Sequence, residues 1–307
     1  MLPRKLLNWI DQDKLFWVYL CRNTNSGQLL EQNIDKIDWE NLSSNSSPRA
    51  IRILEQNLDK VDWSYLSLNP GAVDILKKHQ DKVNWIELAG NHCPRAIELL
   101  EYYALLYHPY KPIYWRELWG VLSENPSAIH LLEQNLDKID WHEISENPSA
   151  IHLIEQNLDK IDWFGLSINP AALHILENNI DKIRWAGLYW NKNPKAIQLL
   201  EKNLLHTGKI DWQDISFHPN AISLLEQNPE KIDWQSLSQN PAAIHLLEKN
   251  IDKIDWENLS LNPSIFEYDY DEMKLCRSAL HEELLAMMLS PDNVSCFEEW
   301  NLINYVI

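Results

Sequence analysis

A tryptophan that recurs about every 22 residues constrains this chain more than any other feature. The clearest copy of the repeat, residues 147–167, reads NPSAIHLIEQNLDKIDWFGLS. Insertions lengthen a few intervals, but the repeat continues beyond them. The tryptophans in phase are Trp39, Trp63, Trp85, Trp115, Trp141, Trp163, Trp185, Trp212, Trp234 and Trp256, with Trp17 one period upstream in a degraded first copy. A period of this length is typical of solenoids, in which each copy is one small structural unit.

Each copy predicts two short helices joined by a tight bend. Asn147 suits a helix N-cap, and Pro148 suits the first helical position because its missing N–H would be unpaired there. The apolar stripe that follows at helical spacing consists of Ala150, Ile151 and Ile154. Asp162 then caps a second helix that begins at Trp163. We expect about ten residues in the first helix and about six in the second.

Neither helix can be stable alone, because isolated helices shorter than ~12–15 residues are marginal in water. Each must bury its apolar stripe against the neighbouring copy. The sequence therefore predicts an all-α fold, an α-solenoid of stacked short helix-turn-helix repeats with terminal caps. With helices 8–10 Å apart, ten copies would extend over about 80–100 Å. No segment shows the period-two alternation of a strand, so no strand is expected.

Three regions are predicted along the chain. Residues 1–22 form a degenerate N-terminal repeat or cap that lacks the proline. Residues 23–263 hold ten tandem repeats, with insertions near residues 102–112 and 204–208. Residues 264–307 depart from the repeat and are expected to form a C-terminal helical cap. Within that cap, Met273–Met288 predicts one longer amphipathic helix that would cover the apolar face of the last repeat.

Composition argues against several classes of function. The chain has 45 Asp and Glu against 27 Lys and Arg, a formal net charge of −18. No nucleic-acid partner is expected, because that affinity comes mostly from basic side chains that neutralise phosphates. No membrane partner is expected either, because the apolar runs are far shorter than a membrane span of ~18–20 residues. The four cysteines are Cys21, Cys93, Cys276 and Cys296. Their scattered positions favour free thiols over disulfides or a zinc site.

A histidine column raises the question of a metal site. The histidines at one shared repeat position are His130, His152, His174 and His245. A metal-binding or pH-sensing stripe is one interpretation, and a solvated helix face is the other. Consecutive copies place the imidazoles about 10 Å apart, whereas zinc needs its nitrogen ligands about 2 Å away. The solvated face is favoured, and neither a metal nor a cofactor is predicted.

The tryptophan column also has two interpretations, an aromatic ladder for a ligand or a packed core position. Tryptophan recurs in each copy while the two residues after it vary, as Phe164 and Gly165 do from Gln213 and Asp214. Packing between repeats demands such a constant position, so the core is favoured. The sequence contains no motif for nucleophilic, metal-dependent or nucleotide-dependent catalysis, and no enzyme is predicted.

One segment breaks the repeat with a concentration of aromatic residues. Between Glu101 and Trp119 the chain reads EYYALLYHPYKPIYWRELW. Tyrosine and tryptophan are enriched at binding hot spots, so this segment is a candidate contact surface. The candidate protein-binding residues are Tyr102, Tyr103, Tyr107, Tyr110, Tyr114 and Trp119. Tyr107 and Tyr110 are expected on a protruding turn, and the alternative is a bulge packed on its own helices.

The repeat unit NPxAIxLLEQNxDKIDWxxLSxNP resembles the tandem repeats of proteins that giant double-stranded DNA viruses encode in large paralogous sets. The segment YDYDEMKLCRSALHEELLAMMLSPDNV resembles the C-terminal segment of the same proteins. The resemblance extends over roughly residues 6–300. It implies an α-helical repeat protein in the host cytoplasm or the virion, and it implies no activity and no site residues.

Together these features predict a non-enzymatic repeat scaffold that mediates protein–protein interaction. Constant columns would build the scaffold, while variable positions and insertions would carry specificity for a protein partner. The alternative is a structural component of a virion, either minor capsid or internal. The sequence leaves the partner and the oligomeric state open.

Overall fold

The chain folds into two rows of short helices. The computed structural model describes residues 2–107, 115–202, 211–275 and 277. Nearly all regular structure in these residues is helical, which confirms the all-α solenoid of stacked repeats. In each copy one helix begins at or close to the tryptophan, and these helices form the first row. A helix that follows the next asparagine belongs to the second row.

The first row contains Trp17–Arg22, Trp39–Ser43, Trp63–Leu68, Trp85–Ala89, Trp115–Glu124, the 3-10 helix Glu143–Glu146, Trp163–Ile168, Trp185–Leu188, Trp212–Phe217, Trp234–Gln239 and Trp256–Leu261. The second row contains Gly27–Glu31, Pro48–Glu55, Val73–Lys78, Pro94–Tyr107, Ile129–Glu133, Ile151–Glu155, Leu173–Glu177, Pro194–Lys202, Ile222–Gln227 and Ile244–Glu248. A 3-10 turn precedes several second-row helices, at Pro126–Ala128, Pro148–Ala150, Pro219–Ala221, Pro241–Ala243 and Pro263–Ile265.

In most copies a lysine-containing turn leads from the second-row helix to the next first-row helix, and we name it the lysine turn. It is a 3-10 helix at Gln12–Lys14, Ile34–Lys36, Gln80–Lys82, Leu136–Lys138, Ile180–Lys182, Pro229–Lys231 and Ile251–Lys253. The predicted N-caps at the starts of the two segments of a copy are confirmed. The Asn147 side chain accepts the N–H of Ser149 at 2.9 Å, and the Asp162 carboxylate accepts the N–H of Gly165 at 2.8 Å.

Aliphatic residues fill the space between the rows. In one interior copy Ala150, Ile154 and Leu166 are fully buried. Trp163 packs against this core but is only half-buried, and the amine of Lys182 lies 4.8 Å above its ring. Lysine lies over tryptophan in the same way in most copies, so the tryptophans of those copies are held between the core and the next lysine turn.

The fifth copy requires a correction to the tryptophan column. Trp119, and not Trp115, occupies the repeat position: it packs against the core beneath Lys138, and its carbonyl accepts the Ser123 hydroxyl at 2.7 Å. Helix Trp115–Glu124 starts one turn earlier than its counterparts, so both tryptophans lie in it. Trp119 is therefore part of the repeat scaffold and not of the aromatic insertion.

A buried asparagine ladder joins successive copies. The Asn147 amide donates to the carbonyls of Ser123 at 2.9 Å and Asn125 at 3.1 Å, both in the preceding copy. These bonds satisfy carbonyls at the buried end of a first-row helix that would otherwise be unpaired. The ladder consists of Asn23, Asn45, Asn69, Asn91, Asn125, Asn147, Asn169, Asn191, His218, Asn240 and Asn262.

The ladder closes on itself. The Asn23 amide donates to the carbonyls of Ser260 and Asn262, each at 3.1 Å, so the first copy follows the last as any copy follows its predecessor. Lys14 lies 4.9 Å over the Trp256 ring, which repeats the lysine–tryptophan contact across this junction. The solenoid is therefore a closed ring of eleven copies, and the expectation of an open stack about 80–100 Å long is wrong.

A short β-pair completes the junction in the second row. Strand β1 (Arg4–Leu6) pairs antiparallel with β2 (Phe266–Tyr268), and Leu7 N–H donates to the Ile265 carbonyl at 2.9 Å. The absence of strands was thus a wrong expectation. The two terminal segments meet each other here, and the first copy covers the last copy, the role expected of Met273–Met288. The chain is helical at residues 270–275 and 277, and the rest of that predicted helix lies outside the described residues.

Candidate functional site

The ring curves around its first row. Successive first-row helices pack directly against one another, except at the looser junction between Trp185–Leu188 and Trp212–Phe217, whereas second-row helices mostly meet their neighbours near their first turns. Two glycines show how close the first-row approach is: a Cβ on Gly165 would lie 3.0 Å from Glu146 Cγ, and one on Gly187 would lie 2.9 Å from the Phe164 carbonyl. Since the more closely spaced row of a ring lies at the smaller radius, the first row lines the central opening.

One side of the first row faces this opening. At 100° per residue, the positions three and four after the tryptophan point to the core, and those one, two and five after it point away. In an interior copy Leu166 and Ser167 are buried at the former positions, while Phe164 and Ile168 are accessible at the latter. We define the inner face as the residues one, two and five positions after each first-row tryptophan, counted from Trp119 in the fifth copy.

The inner face is acidic. Its charged residues are Glu40, Glu87, Glu124, Glu143, Glu146, Asp214, Glu257 and Arg22. Seven carboxylates and one guanidinium give a net charge of −6, and the inner face contains no lysine. The lysine turns, by contrast, hold one acidic residue and one lysine each, as Asp137 and Lys138 do, and the lysine lies over the tryptophan in most copies.

Carboxylates are densest in the fifth and sixth copies. An open groove of about 550 Å³ between these copies is lined by Glu117, Gly120, Val121, Glu124, Asp140 and Glu143. Beside it, partial burial and the nearby charges of Glu124 and Glu143 raise the pKa of the Glu146 carboxyl. Carboxylates that repel one another at close range favour a cationic neighbour, because opposite charge nearby stabilises the ionised form.

Large apolar side chains are exposed on the same face. Those with 36–50% of their surface accessible are Val18, Tyr65, Leu68, Phe164, Trp190 and Phe217. Trp190 and Phe217 belong to adjacent copies, and their ring centroids are 5.9 Å apart. Phe164 lies in the copy before Trp190, so three consecutive copies each present an aromatic ring to the opening. Aromatic residues are enriched at protein-binding hot spots.

The histidine column lies on the second row. Each histidine bonds a glutamate of the preceding copy, as between His152 Nε2 and Glu133 Oε1 at 2.9 Å and between His174 Nε2 and Glu155 Oε1 at 2.7 Å. The histidines are about half-exposed, so the column is a solvated face that also joins neighbouring copies. In the part of the chain that the structure describes, no three His, Cys, Asp or Glu are grouped so that they could hold a metal ion.

The cysteines in the described ranges are Cys21 and Cys93, and both are free thiols. Cys21 lies four residues after Trp17, where most copies have a serine such as Ser145. Its sulfur accepts the N–H of Asp38 at 3.3 Å, as Ser145 Oγ accepts the N–H of Asp162 at 2.9 Å. Burial raises the pKa of the Cys21 thiol to about 11, so it stays protonated at neutral pH. A buried, protonated thiol is a poor nucleophile, which assigns Cys21 to packing.

The predicted aromatic site is only partly described. Tyr102 is exposed on helix Pro94–Tyr107. Tyr103 and Tyr107 lie in the same helix, which ends at Tyr107. Tyr110, Tyr114 and the turn expected around them lie outside the described residues, as does the smaller insertion at 204–208. The inner face was not identified from the sequence, although its signal was present in the variable residues after each tryptophan.

The comparisons with known proteins add no identification. Searches of protein-family models, curated proteins and solved structures found no match to this chain. Within the described residues, no helix is both long and apolar enough to cross a lipid bilayer.

Proposed function

We propose that this protein is a non-enzymatic scaffold that binds a protein partner through the inner face of its ring. One observation carries the proposal: the constant columns are buried in contacts between copies, whereas most of the varied residues of the inner face stay accessible to solvent. Asn147 and Ser145 bond the neighbouring copies, whereas Phe164 and Trp190 expose large apolar surfaces to solvent. Large exposed apolar groups in a cluster mark interaction surfaces.

We also propose where the protein acts. The resemblance of its repeat to those of giant-virus proteins favours the cytoplasm of an infected host cell, with the virion as the second location. The aromatic insertion extends the possible contact surface, since Tyr102 is exposed. A purely structural role in a particle would instead require the protein in fixed proportion to the virion's other components.

Affinity purification with matched variants tests the proposal. Phe164→Ser with Trp190→Ser alters the inner face, and His152→Ala with His174→Ala alters the second row. We expect the inner-face variant to fold and to lose a protein that the wild type and the second-row variant both retain. A third variant, Tyr102→Ser, separates the insertion from the inner face. Partners retained by the inner-face variant but lost by Tyr102→Ser would move the binding site to the insertion.

A further inference from the structure

The dimensions of the ring limit what can occupy its centre. Eleven first-row helices spaced 8–10 Å apart make a circle about 30 Å across, measured between helix axes. The backbones and side chains of the helices occupy about 5–6 Å on each side, which leaves an opening of about 20 Å. A single α-helix with its side chains is about 10–12 Å in diameter and fits within it.

The inner face includes two adjacent arcs of different chemistry. Copies four to six contribute Glu87, Glu124, Glu143 and Glu146, and copies seven to nine contribute Phe164, Trp190 and Phe217. None of these four carboxylates forms an ion pair with a lysine or arginine among the described residues. The carboxylate arc therefore has no lysine or arginine partner among the described residues, and the aromatic arc has rings that are exposed to solvent.

We propose, on the basis of the function proposed above, that the partner inserts a basic amphipathic α-helix into this opening. Its Lys and Arg side chains lie against the carboxylate arc, and its apolar side chains pack on Phe164, Trp190 and Phe217. Amphipathic helices bind grooves through apolar anchors at helical spacing, and complementary charge sets orientation and on-rate.

Charge complementarity argues against two other occupants. Residues 278–307 of this chain carry five Asp and Glu and no Lys or Arg, so the acidic face would repel them. A second copy of the protein brings a net charge of −18 and is repelled likewise. A metal ion is disfavoured by distance, since the described carboxylates are not grouped for coordination.

The test uses a synthetic helical peptide with Lys on one face and Leu on the other, labelled for fluorescence anisotropy. A second peptide has Glu in place of every Lys. The protein variants are the triple Glu124→Gln, Glu143→Gln, Glu146→Gln and, as a matched control, the second-row triple Glu133→Gln, Glu155→Gln, Glu226→Gln. Both triples remove the same formal charge, and circular dichroism checks that both fold.

We expect the Lys–Leu peptide to bind the wild type, the Glu–Leu peptide to fail, and added salt to weaken binding. The inner-face triple should weaken the Lys–Leu peptide about tenfold, and the second-row triple less than twofold. Equal loss in both triples would show non-specific attraction to an acidic protein and overturn the inference. Failure of the Lys–Leu peptide, with natural partners still lost on inner-face substitution, would overturn the basic-helix chemistry while the proposed function stands. Binding that appears only after deletion of residues 278–307 would identify that tail as the occupant.

Discussion

The junction between the last and first copies and an interior junction are built from the same contacts in the first row. At the interior junction Asn147 donates to Ser123 and Asn125. At the closing junction Asn23 donates to Ser260 and Asn262 at nearly the same distances. The peptide chain crosses the first junction and not the second. Copies therefore stack through the ladder and its core, and covalent continuity between neighbours is not required.

The two junctions differ in the second row. An interior copy has a second helix such as Ile151–Glu155, whereas the last copy has the β1–β2 pair and the lysine turn Gln12–Lys14 from the other end of the chain. The closing junction adds a hydrogen bond on the inner face, from Tyr19 Oη to Glu257 Oε1 at 2.6 Å. The last repeat is thus completed by both termini, and its stability depends on their meeting.

A disulfide across the strands should have the largest effect. Lys5 is paired with Glu267 in the antiparallel ladder, and their charged atoms are 3.8 Å apart. In a background with serine at the native cysteines, Lys5→Cys with Glu267→Cys should form a bond that closes a loop of more than 250 residues. Because it constrains so long a segment of the unfolded chain, this disulfide should raise the free energy of unfolding by about 5 kcal/mol. Urea denaturation of the oxidised and reduced protein measures the difference. Lys5→Cys with Glu248→Cys is the unpaired control. No bond in the paired variant would contradict the closed ring.

Loss of a repeat tryptophan should have the next largest effect. Trp163→Ala removes a half-buried ring held between the core and Lys182, at a cost of about 3 kcal/mol. Trp256→Ala, covered by Lys14 at the closing junction, should cost about as much if the two junctions are equivalent. His152→Ala, on the exposed second row, should cost under about 0.5 kcal/mol. Chemical denaturation that ranks His152→Ala with Trp163→Ala would contradict the packing role of the tryptophans.

Removal of one ladder asparagine should cost about 2 kcal/mol, because buried carbonyls lose their donors. Asn147→Ala tests the interior junction, and Asn23→Ala tests the closing one. We expect the two unfolding free energies to agree within about 0.5 kcal/mol. Hydrogen exchange provides a second measurement, since Asn23→Ala should speed exchange at Phe16, whose N–H donates to Ser260 Oγ at 2.9 Å. If Asn23→Ala left the free energy of unfolding unchanged, the closing junction would be open in solution.

Substitution of His218, the ladder residue that is not asparagine, should have the smallest effect on stability. His218 Nε2 bonds one carbonyl, that of Asn191, at 2.9 Å, where an asparagine donates two bonds. Burial lowers the pKa of His218, so the folded protein keeps it neutral while the unfolded chain protonates it below about pH 6.5. Its contribution to stability is therefore present above that pH and lost as pH falls. His218→Asn should add about 1 kcal/mol and flatten the loss of stability between pH 7 and 5. An equal loss of unfolding free energy between pH 7 and 5 in the wild type and in His218→Asn would contradict this role of His218.

The sequence by itself determined the local structure of each copy. Asn147, Asp162 and the apolar stripe between them act within one or two turns of helix, so a single copy contains the information for its caps and its two helices. The 22-residue period then required stacking, because helices this short must bury their apolar stripes against a neighbour. Two local expectations were wrong. The first helix of a copy was expected over about ten residues, whereas Ile151–Glu155 has five and follows the 3-10 turn Pro148–Ala150. Trp115 and Trp119 share one helix, and spacing alone did not show which of them occupies the repeat position.

Tertiary structure decided the closure, the β-pair and the candidate site. Eleven copies close a ring only if each turns by about 33°, an angle that follows from the closer packing of the first row than of the second. Strands of three residues are too short to show a period, and β1 and β2 acquire their pairing only when the ends meet. The inner face follows from the same curvature, because acidic and aromatic residues from separate copies come to share a surface only after the ring has formed.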